Sequence, residues 1–290
     1  MKIQSFFKLL RINHYIKNFF IFMPLFFSGE MINAYLFLNT FLAFLAFSFA
    51  ASAVYIFNDF LDLKDDLIHP RKRFRPIASG EIDKKNAILI MLVLASFGVF
   101  ISTNIIFHAL IVIIIYFIIN IAYSVYLKNV VILDVNVIAF GFVLRIWLGA
   151  IVTDVNLSIW IVILTYLLAL FLALAKRRDD VLIFLNSGLK MRKVIDAYNI
   201  KFINITMIIL AAVIVMTYIL FTLSNEVQLR IQNEHLYLTV LFVLLGLIKY
   251  LQLAFFDENT ASPVSIILND RFIQLMVFLW VLSYSFILYL

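Results

Sequence analysis

The chain has 290 residues, of which 65% are hydrophobic and only 14% charged, with 23 Lys and Arg, 17 Asp and Glu, and no Cys. Soluble domains carry about 45–50% apolar and about 25% charged residues, so this chain has too few charges to cover a water-facing surface. A soluble enzyme, a disordered tail, a fibre and a disulfide scaffold are excluded together, and the absence of Cys removes thiolate metal sites and a Cys nucleophile.

The charges cluster, and between them lie apolar runs of about 17–23 residues, the length that crosses a bilayer as a helix. Nine candidate helices fall near residues 16–30, 34–57, 86–102, 104–124, 131–152, 157–175, 202–223, 236–255 and 272–290, the first of them shorter than the rest. The expected fold is therefore all-α: a polytopic membrane protein of nine transmembrane helices, forming a single domain over residues 1–290. No Pro-rich or Gly/Ser-rich linker divides it. Pro24 interrupts the short first run, which reads as a kinked or shallow entry helix, and no small-x-small cleavage site follows it.

Basic residues set the orientation. Alternate connections carry four of them (Lys2, Lys8, Arg11, Lys17), then seven (Lys64, Arg71, Lys72, Arg73, Arg75, Lys84, Lys85), then Lys128. A further seven (Lys176, Arg177, Arg178, Lys190, Arg192, Lys193, Lys201) and Arg271 follow. Only Arg145, Arg230 and Lys249 lie elsewhere. The positive-inside rule then places the N-terminus in the cytoplasm and, with nine crossings, the C-terminus outside. Charged loops after the second and sixth runs give a faint echo of a duplicated four-helix unit.

The second run ends in Asn58-Asp59-Phe60-Leu61-Asp62-Leu63-Lys64-Asp65-Asp66. At 100° per residue, Asp59, Asp62 and Asp66 share one helix face, with Asn58 at its edge. Carboxylates on one stripe repel unless a cation sits among them, and an oxygen-only donor set suits Mg²⁺, which favours one or two carboxylates plus substrate phosphates. Asn58, Asp59, Asp62 and Asp66 are the expected metal ligands. Immediately after comes His69-Pro70-Arg71-Lys72-Arg73-Phe74-Arg75-Pro76, where four cations in five positions form a candidate anion clamp. Topology alone would also load this loop with positive charge. Pro70 and Pro76 restrict the segment that carries it.

Asn58, Asp59, Asp62 and Asp66 match NDxxDxxxD, and at these residues the chain resembles the UbiA superfamily of intramembrane prenyltransferases. Five further stretches are similar to its decaprenyl-phosphate phosphoribosyltransferase branch. They are Arg11-x-x-His14-Tyr15-Ile16-Lys17-Asn18 with Pro24, the 69–80 loop, Ala122-Tyr123-Ser124 through Lys128, Leu133-Asp134-Val135, and Gly141 to Arg145. Aromatic prenyltransferases of the superfamily carry a second Asp-rich motif after the sixth helix. Here the equivalent place reads Ala175-Lys176-Arg177-Arg178-Asp179-Asp180, with adjacent acids that cannot line one stripe and with cations dominant.

The resemblance implies an enzyme of the bacterial cytoplasmic membrane, its active site facing the cytoplasm. It would transfer the 5-phosphoribosyl group from 5-phosphoribosyl diphosphate to a polyprenyl phosphate, Mg²⁺-dependently, releasing diphosphate. Asp59, Asp62, Asp66 and Lys17 are the expected catalytic set. Lys17, Asn58, Lys72, Arg73 and Arg75 are candidates for the donor. Lys128, Lys176 and Arg177 are candidates for the acceptor phosphate or the ribose 5-phosphate, and Tyr123 is a further substrate contact. Asp134, near the cytoplasmic end of the fifth run, is a candidate for the metal or a ribose hydroxyl. Arg145 lies about three turns deeper and is expected to make an ion pair or cap a carbonyl, while Lys249 is expected to snorkel. The four His residues are scattered, and His69 reads as structural more than chemical. The partners implied are the two substrates and the bilayer, not nucleic acid, and the residues assign no oligomeric state.

Two rivals stand. An aromatic prenyltransferase of the same superfamily lacks its second acidic stripe here. A transporter would place its substrate site near the bilayer midplane, whereas the chemistry-bearing residues here crowd the interface. No P-loop or GxGxxG occurs among the seven Gly.

Overall fold

A computed structural model describes residues 3–69, 72–188, 193–231, 234–256, 266 and 269–289. Pro70 and Arg71 of the basic loop, together with Lys2, Lys190 and Arg192, lie outside the described residues. Every regular element among those described is helical. Among the described residues, eight helices are long and apolar enough to cross a membrane: Ala34–Leu61, Lys84–Ile105, Phe107–Val125, Leu133–Thr153, Ile159–Ser187, Ile200–Leu223, His235–Phe256 and Arg271–Leu288. The protein is an integral membrane protein. The chain divides into two compact units, residues 1–128 with 141–157, and residues 129–140 with 158–290.

The first unit opens with α1 (Ile3–Leu10), an eleven-residue 3₁₀ stretch (Ile12–Phe22) and α2 (Met23–Phe27). These occupy the place of the expected kinked or shallow entry helix at 16–30, most of which is a tightened 3₁₀ segment rather than α-helix. Two physical causes are visible. Pro24 stands in the first turn of α2 and has no N–H to continue a helix through it. The polar side chains of the stretch are also drawn to α3 (Ala34–Leu61), with Tyr15 and Ser52 hydroxyls 2.9 Å apart and Asn18 Nδ2 donating to Ser48 Oγ at 2.8 Å.

Asn33 caps α3 by accepting from the Leu36 N–H at 3.3 Å. A face of small residues, Ala43, Ala46, Ala50 and Ala53, lets α5 (Lys84–Ile105) approach closely. A Cβ on Gly98 of α5 would stand 3.0 Å from the Ala46 carbonyl oxygen. The stretch meets α7 (Leu133–Thr153) more closely still: a Cβ on Gly149 would fall 2.0 Å from the Ile21 carbonyl oxygen. Between α3 and α5 in sequence lies α4 (Leu63–Ile68), and α6 (Phe107–Val125) completes the unit. Ile21, Phe47, Ile113, Leu144 and Leu148 pack in its core.

The second unit holds the first two turns of α7, then α8 (Ile159–Ser187), α9 (Ile200–Leu223), α10 (Asn225–Ile231), α11 (Val240–Phe256) and α12 (Arg271–Tyr289). Asn199 caps α9, accepting from the Lys201 N–H at 2.8 Å. Phe171, Met207, Ile214 and Tyr250 are among its buried core. Here the boundaries needed correction. The expected sixth span stops at 175, but α8 runs on for three further turns, so Lys176 to Asp180 are helical rather than a loop. Ala175 and Val181 are buried on either side of the charges, and an apolar stripe of this kind carries the helix onward.

Candidate active site

In the first unit, α3 ends at Leu61 and α4 begins at Leu63, with Asp62 (φ −87°, ψ 2°) as the joint. The backbone pitch survives, since the Asp62 N–H donates to the Asn58 carbonyl at 2.9 Å and the Asp66 N–H to the Asp62 carbonyl at 2.8 Å. The side chains along this face nevertheless take different ion partners. Asp59 and Asp66 are buried, at 2% and 1% exposure. Arg75 binds both, its Nη1 donating to Asp59 Oδ1 at 3.0 Å and to Asp66 Oδ2 at 2.7 Å. Arg11 donates to the same Asp59 oxygen, its guanidinium 4.9 Å above the Tyr55 ring. Asp62 is half-buried and faces Lys128 Nζ at 2.5 Å, while Asn58 Nδ2 donates to its other oxygen at 2.8 Å.

Each of the three carboxylates thus carries a cation, as burial requires. Arg75 is aimed by its own loop. The 3₁₀ turn Lys72–Phe74 precedes it, Pro76 and Ile77 are buried after it, and His69 Nδ1 accepts from the Lys72 N–H at 3.1 Å. His69 therefore shapes the loop, in keeping with its sequence reading. Of the remaining candidates in this unit, Lys17 lies half-buried on the 3₁₀ stretch, Lys72 half-buried in the loop and Tyr123 half-buried near the end of α6. Arg73 is exposed and lies over Phe74, 4.9 Å from the ring centroid.

The donor chemistry fits a hard divalent cation, because Asn58, Asp59, Asp62 and Asp66 offer only oxygen and amide groups. Asp66 Oδ1 supplies an independent mark: it is buried and has no hydrogen-bond partner, a costly arrangement for a carboxylate oxygen. The carboxylates diverge toward their own cations, and among the described residues no three His, Cys, Asp or Glu side chains already surround one point.

Arg145, also in this unit, is 5% exposed. Its Nη1 donates to the Gly141 carbonyl at 2.6 Å and its Nε to Asn18 Oδ1 at 2.8 Å, with Phe47, Phe142 and Tyr116 rings around the guanidinium. The carbonyl cap expected from the sequence is present, and the aromatic faces spread the charge.

The second unit contains its own buried charge network. Asp134, in the first turn of α7, is fully buried. Arg177 Nε donates to its Oδ2 at 2.5 Å, and the Tyr198 hydroxyl donates to its Oδ1 at 2.5 Å. Arg177, 1% exposed, also donates through Nη1 to Asp180 Oδ2 at 2.8 Å. Tyr198 in turn accepts from the N–H of Ile132 at 3.0 Å. That residue has φ 72°, a left-handed conformation that costs a β-branched side chain about 1–3 kcal/mol. Burial, and then the bond to Asp134, push the Tyr198 phenol above its usual range, so it remains a neutral donor at physiological pH. Lys176 is exposed, and Arg178 Nε donates to Asn204 Oδ1 at 2.8 Å. Sequence reasoning missed Tyr198 and Asp180, and did not assign Arg11 a role although it begins the run containing Lys17.

A sequence model of the UbiA prenyltransferase family matches residues 19–282. A decaprenyl-phosphate phosphoribosyltransferase of Mycolicibacterium smegmatis is 29% identical over 246 residues, covering 82% of this chain and 77% of that protein. One of Corynebacterium glutamicum is 28% identical over 280 residues, covering 94% and 83%. Among solved structures, a UbiA homolog from Archaeoglobus fulgidus bound to GPP and Mg²⁺ superposes with a TM-score of 0.73 at 19% identity, covering 98% of this chain and 99% of that one. The fold is shared end to end, and with the family match extending over most of its length the chain belongs to the UbiA prenyltransferase family.

Proposed function

We propose that this protein is a Mg²⁺-dependent polyprenyl-phosphate phosphoribosyltransferase. An acceptor phosphate oxygen attacks the anomeric carbon of 5-phosphoribosyl diphosphate, the bond from that carbon to the diphosphate breaks, and diphosphate leaves. The observation that carries the reading is the oxygen-only set Asn58, Asp59, Asp62 and Asp66 interleaved with Arg11, Arg75 and Lys128. It occurs in a chain similar over 82% and 94% of its length to two phosphoribosyltransferases of polyprenyl phosphate. The A. fulgidus homolog, bound to GPP and Mg²⁺, supports divalent metal use in this fold.

Asn58, Asp59, Asp62 and Asp66 would hold the metal, which when bound supplies positive charge for the departing diphosphate. The chain's own residues do the rest by position and charge. Arg75 and Arg11 stand at Asp59 and offer planar donors to donor phosphates, joined by Lys17, Lys72 and Arg73. Tyr123 and Lys128 contact substrate in the same unit. The acceptor phosphate is already anionic near neutral pH, so no general base is required. In the second unit, exposed Lys176 is the candidate for a substrate phosphate. Both oxygens of Asp134 carry donors, so its role is to fix Arg177 rather than to meet a ribose.

We read residues 1–290 as one transferase domain of the bacterial cytoplasmic membrane, with its N-terminus and active site on the cytoplasmic side. The 3₁₀ stretch and α2 supply the ninth crossing. Eleven residues rising about 2.0 Å and five rising about 1.5 Å reach about 30 Å, the thickness of the hydrocarbon core.

The test is label transfer by purified protein with Mg²⁺, polyprenyl phosphate and labelled 5-phosphoribosyl diphosphate, beside a tube holding a prenyl diphosphate and 4-hydroxybenzoate. Label entering the lipid phase in the first tube only, and lost with EDTA, is expected. Product in the second tube only would make this an aromatic prenyltransferase.

A further inference from the structure

We propose that Arg11, Arg75 and Lys128 are exchangeable counter-ions, held by the carboxylates until a divalent cation takes those oxygens and then passed to the diphosphate of the donor. The inference rests on reading Asn58, Asp59, Asp62 and Asp66 as metal ligands, and it adds an order of events to that reading.

Three carboxylates face three cations here: Arg11 and Arg75 on Asp59, Arg75 again on Asp66, and Lys128 on Asp62. The set is charge-balanced as it stands. A guanidinium and a divalent ion compete for the same oxygens, so metal arriving alone must break ion pairs and leaves two positive charges in surplus within a partly buried site. That surplus is relieved when a diphosphate arrives. The cations are built to move. The Arg11 and Arg75 side chains are 19% and 24% exposed, while those of Asp59 and Asp66 are only 2–3% exposed, so at these pairs the acids are fixed and the bases can swing toward solvent. Lys128 and Asp62 are similarly open, at 18% and 21%. Asp66 Oδ1, buried without a hydrogen-bond partner, offers the incoming ion an oxygen for which no cation competes.

The consequence is strong positive coupling: metal and diphosphate each bind weakly alone and tightly together, each by the same factor. Substitutions on opposite sides of the balance separate the two halves. Removing a cation frees carboxylates, so Arg75→Gln should bind a divalent ion alone more tightly than the unaltered protein. Removing a carboxylate frees cations, so Asp59→Asn should bind inorganic pyrophosphate in EDTA more tightly. Each gain should be about tenfold or more, given the strength of unit charges a few ångströms apart at a partly buried site.

The experiment uses full-length protein in detergent micelles. Free Mn²⁺ is followed by its electron paramagnetic resonance signal, and labelled pyrophosphate by equilibrium dialysis. If Arg75 and Arg11 are only clamps that shape the site, both substitutions lower affinity or leave it unchanged, and that result overturns the proposal. Should Arg75→Gln fail to give monodisperse protein, Arg11→Gln carries the metal arm with the same expectation. Neither arm contains a ribosyl or prenyl substrate. Affinity gains without phosphoribosyl transfer would keep the exchange and discard the substrate assignment; transfer without the gains would do the reverse.

Discussion

Tyr198→Phe removes one oxygen atom and should be among the most costly conservative changes in the protein. The hydroxyl donates to Asp134 Oδ1 at 2.5 Å and accepts from the Ile132 N–H at 3.0 Å. Asp134 is fully buried, so its carboxylate oxygen has no water to turn to, and an unsatisfied charged acceptor costs about 3 kcal/mol. Ile132 is 51% exposed, and its N–H is more easily rehydrated, adding about 1 kcal/mol or less. The strained φ of 72° at Ile132 also loses the bond that holds it. The expected loss is therefore about 3–4 kcal/mol. Tyr166→Phe is the internal control. It removes a hydroxyl that donates to the neutral Asn136, which is half-buried, and should cost about 1 kcal/mol. Reversible unfolding in mixed SDS and detergent micelles measures both. A Tyr198→Phe loss no greater than that of Tyr166→Phe would refute the reasoning. Because the Tyr198 phenol is pushed upward, its stabilisation is complete below about pH 10 and is lost as pH rises through the folded value. The phenylalanine variant should accordingly show a shallower alkaline decline.

Asp59→Asn and Asp62→Asn should each abolish turnover while the protein remains folded and monodisperse; retained activity in both would remove the metal assignment. Gly149→Ala should destabilise by about 2 kcal/mol or more and broaden the size-exclusion profile, since the new methyl group would fall 2.0 Å from the Ile21 carbonyl oxygen, a backbone atom that yields only if the 3₁₀ stretch shifts. Wild-type stability in this variant would show that the stretch and α7 are not in close contact. Arg145→Lys keeps the charge but cannot reproduce the Nε bond to Asn18 or the guanidinium placed 4.6 Å from the Phe47 ring centroid. It should cost about 1–3 kcal/mol, read from the same unfolding assay, and a neutral result would argue that the aromatic cage carries little energy.

The spans and the acidic motif were legible because both are periodic signals: apolar runs register as length, and Asp spacing registers as a helix face. The division of that face was not. That Asp62 pairs with Lys128, 66 residues away, and that Arg75 bonds to Asp59 and Asp66 at once, are both set by residues outside the motif. No local pattern encodes either choice. The end of α8 was misplaced for a related reason. A charge run reads as an interface loop when its partners are unknown, yet Arg177 and Asp180 are buried because Asp134, far off in sequence, completes them. Tyr198 was invisible because it sits among charged loop residues and its function lies wholly in what it touches. Arg145, by contrast, was read correctly, because a lone cation deep in a span has few affordable arrangements.

The two buried acidic groupings show how differently one residue type can be employed. Asp134 sits in a network whose donors, Arg177 and Tyr198, are themselves buried or tied to a strained backbone, so exchanging a partner there would leave another group unsatisfied. Its chemistry is closed. At Asp59, Asp62 and Asp66 the partners are Arg75 from a loop, half-buried Lys128 from the 3₁₀ turn after α6 and a left-handed Arg11, and each base is partly open to solvent. Counter-ions of that kind can leave at the cost of one ion pair, provided another cation arrives. That difference in how replaceable the partners are, more than the count of acids, is the ground for proposing the joint between α3 and α4 as the place where charge would be traded during turnover.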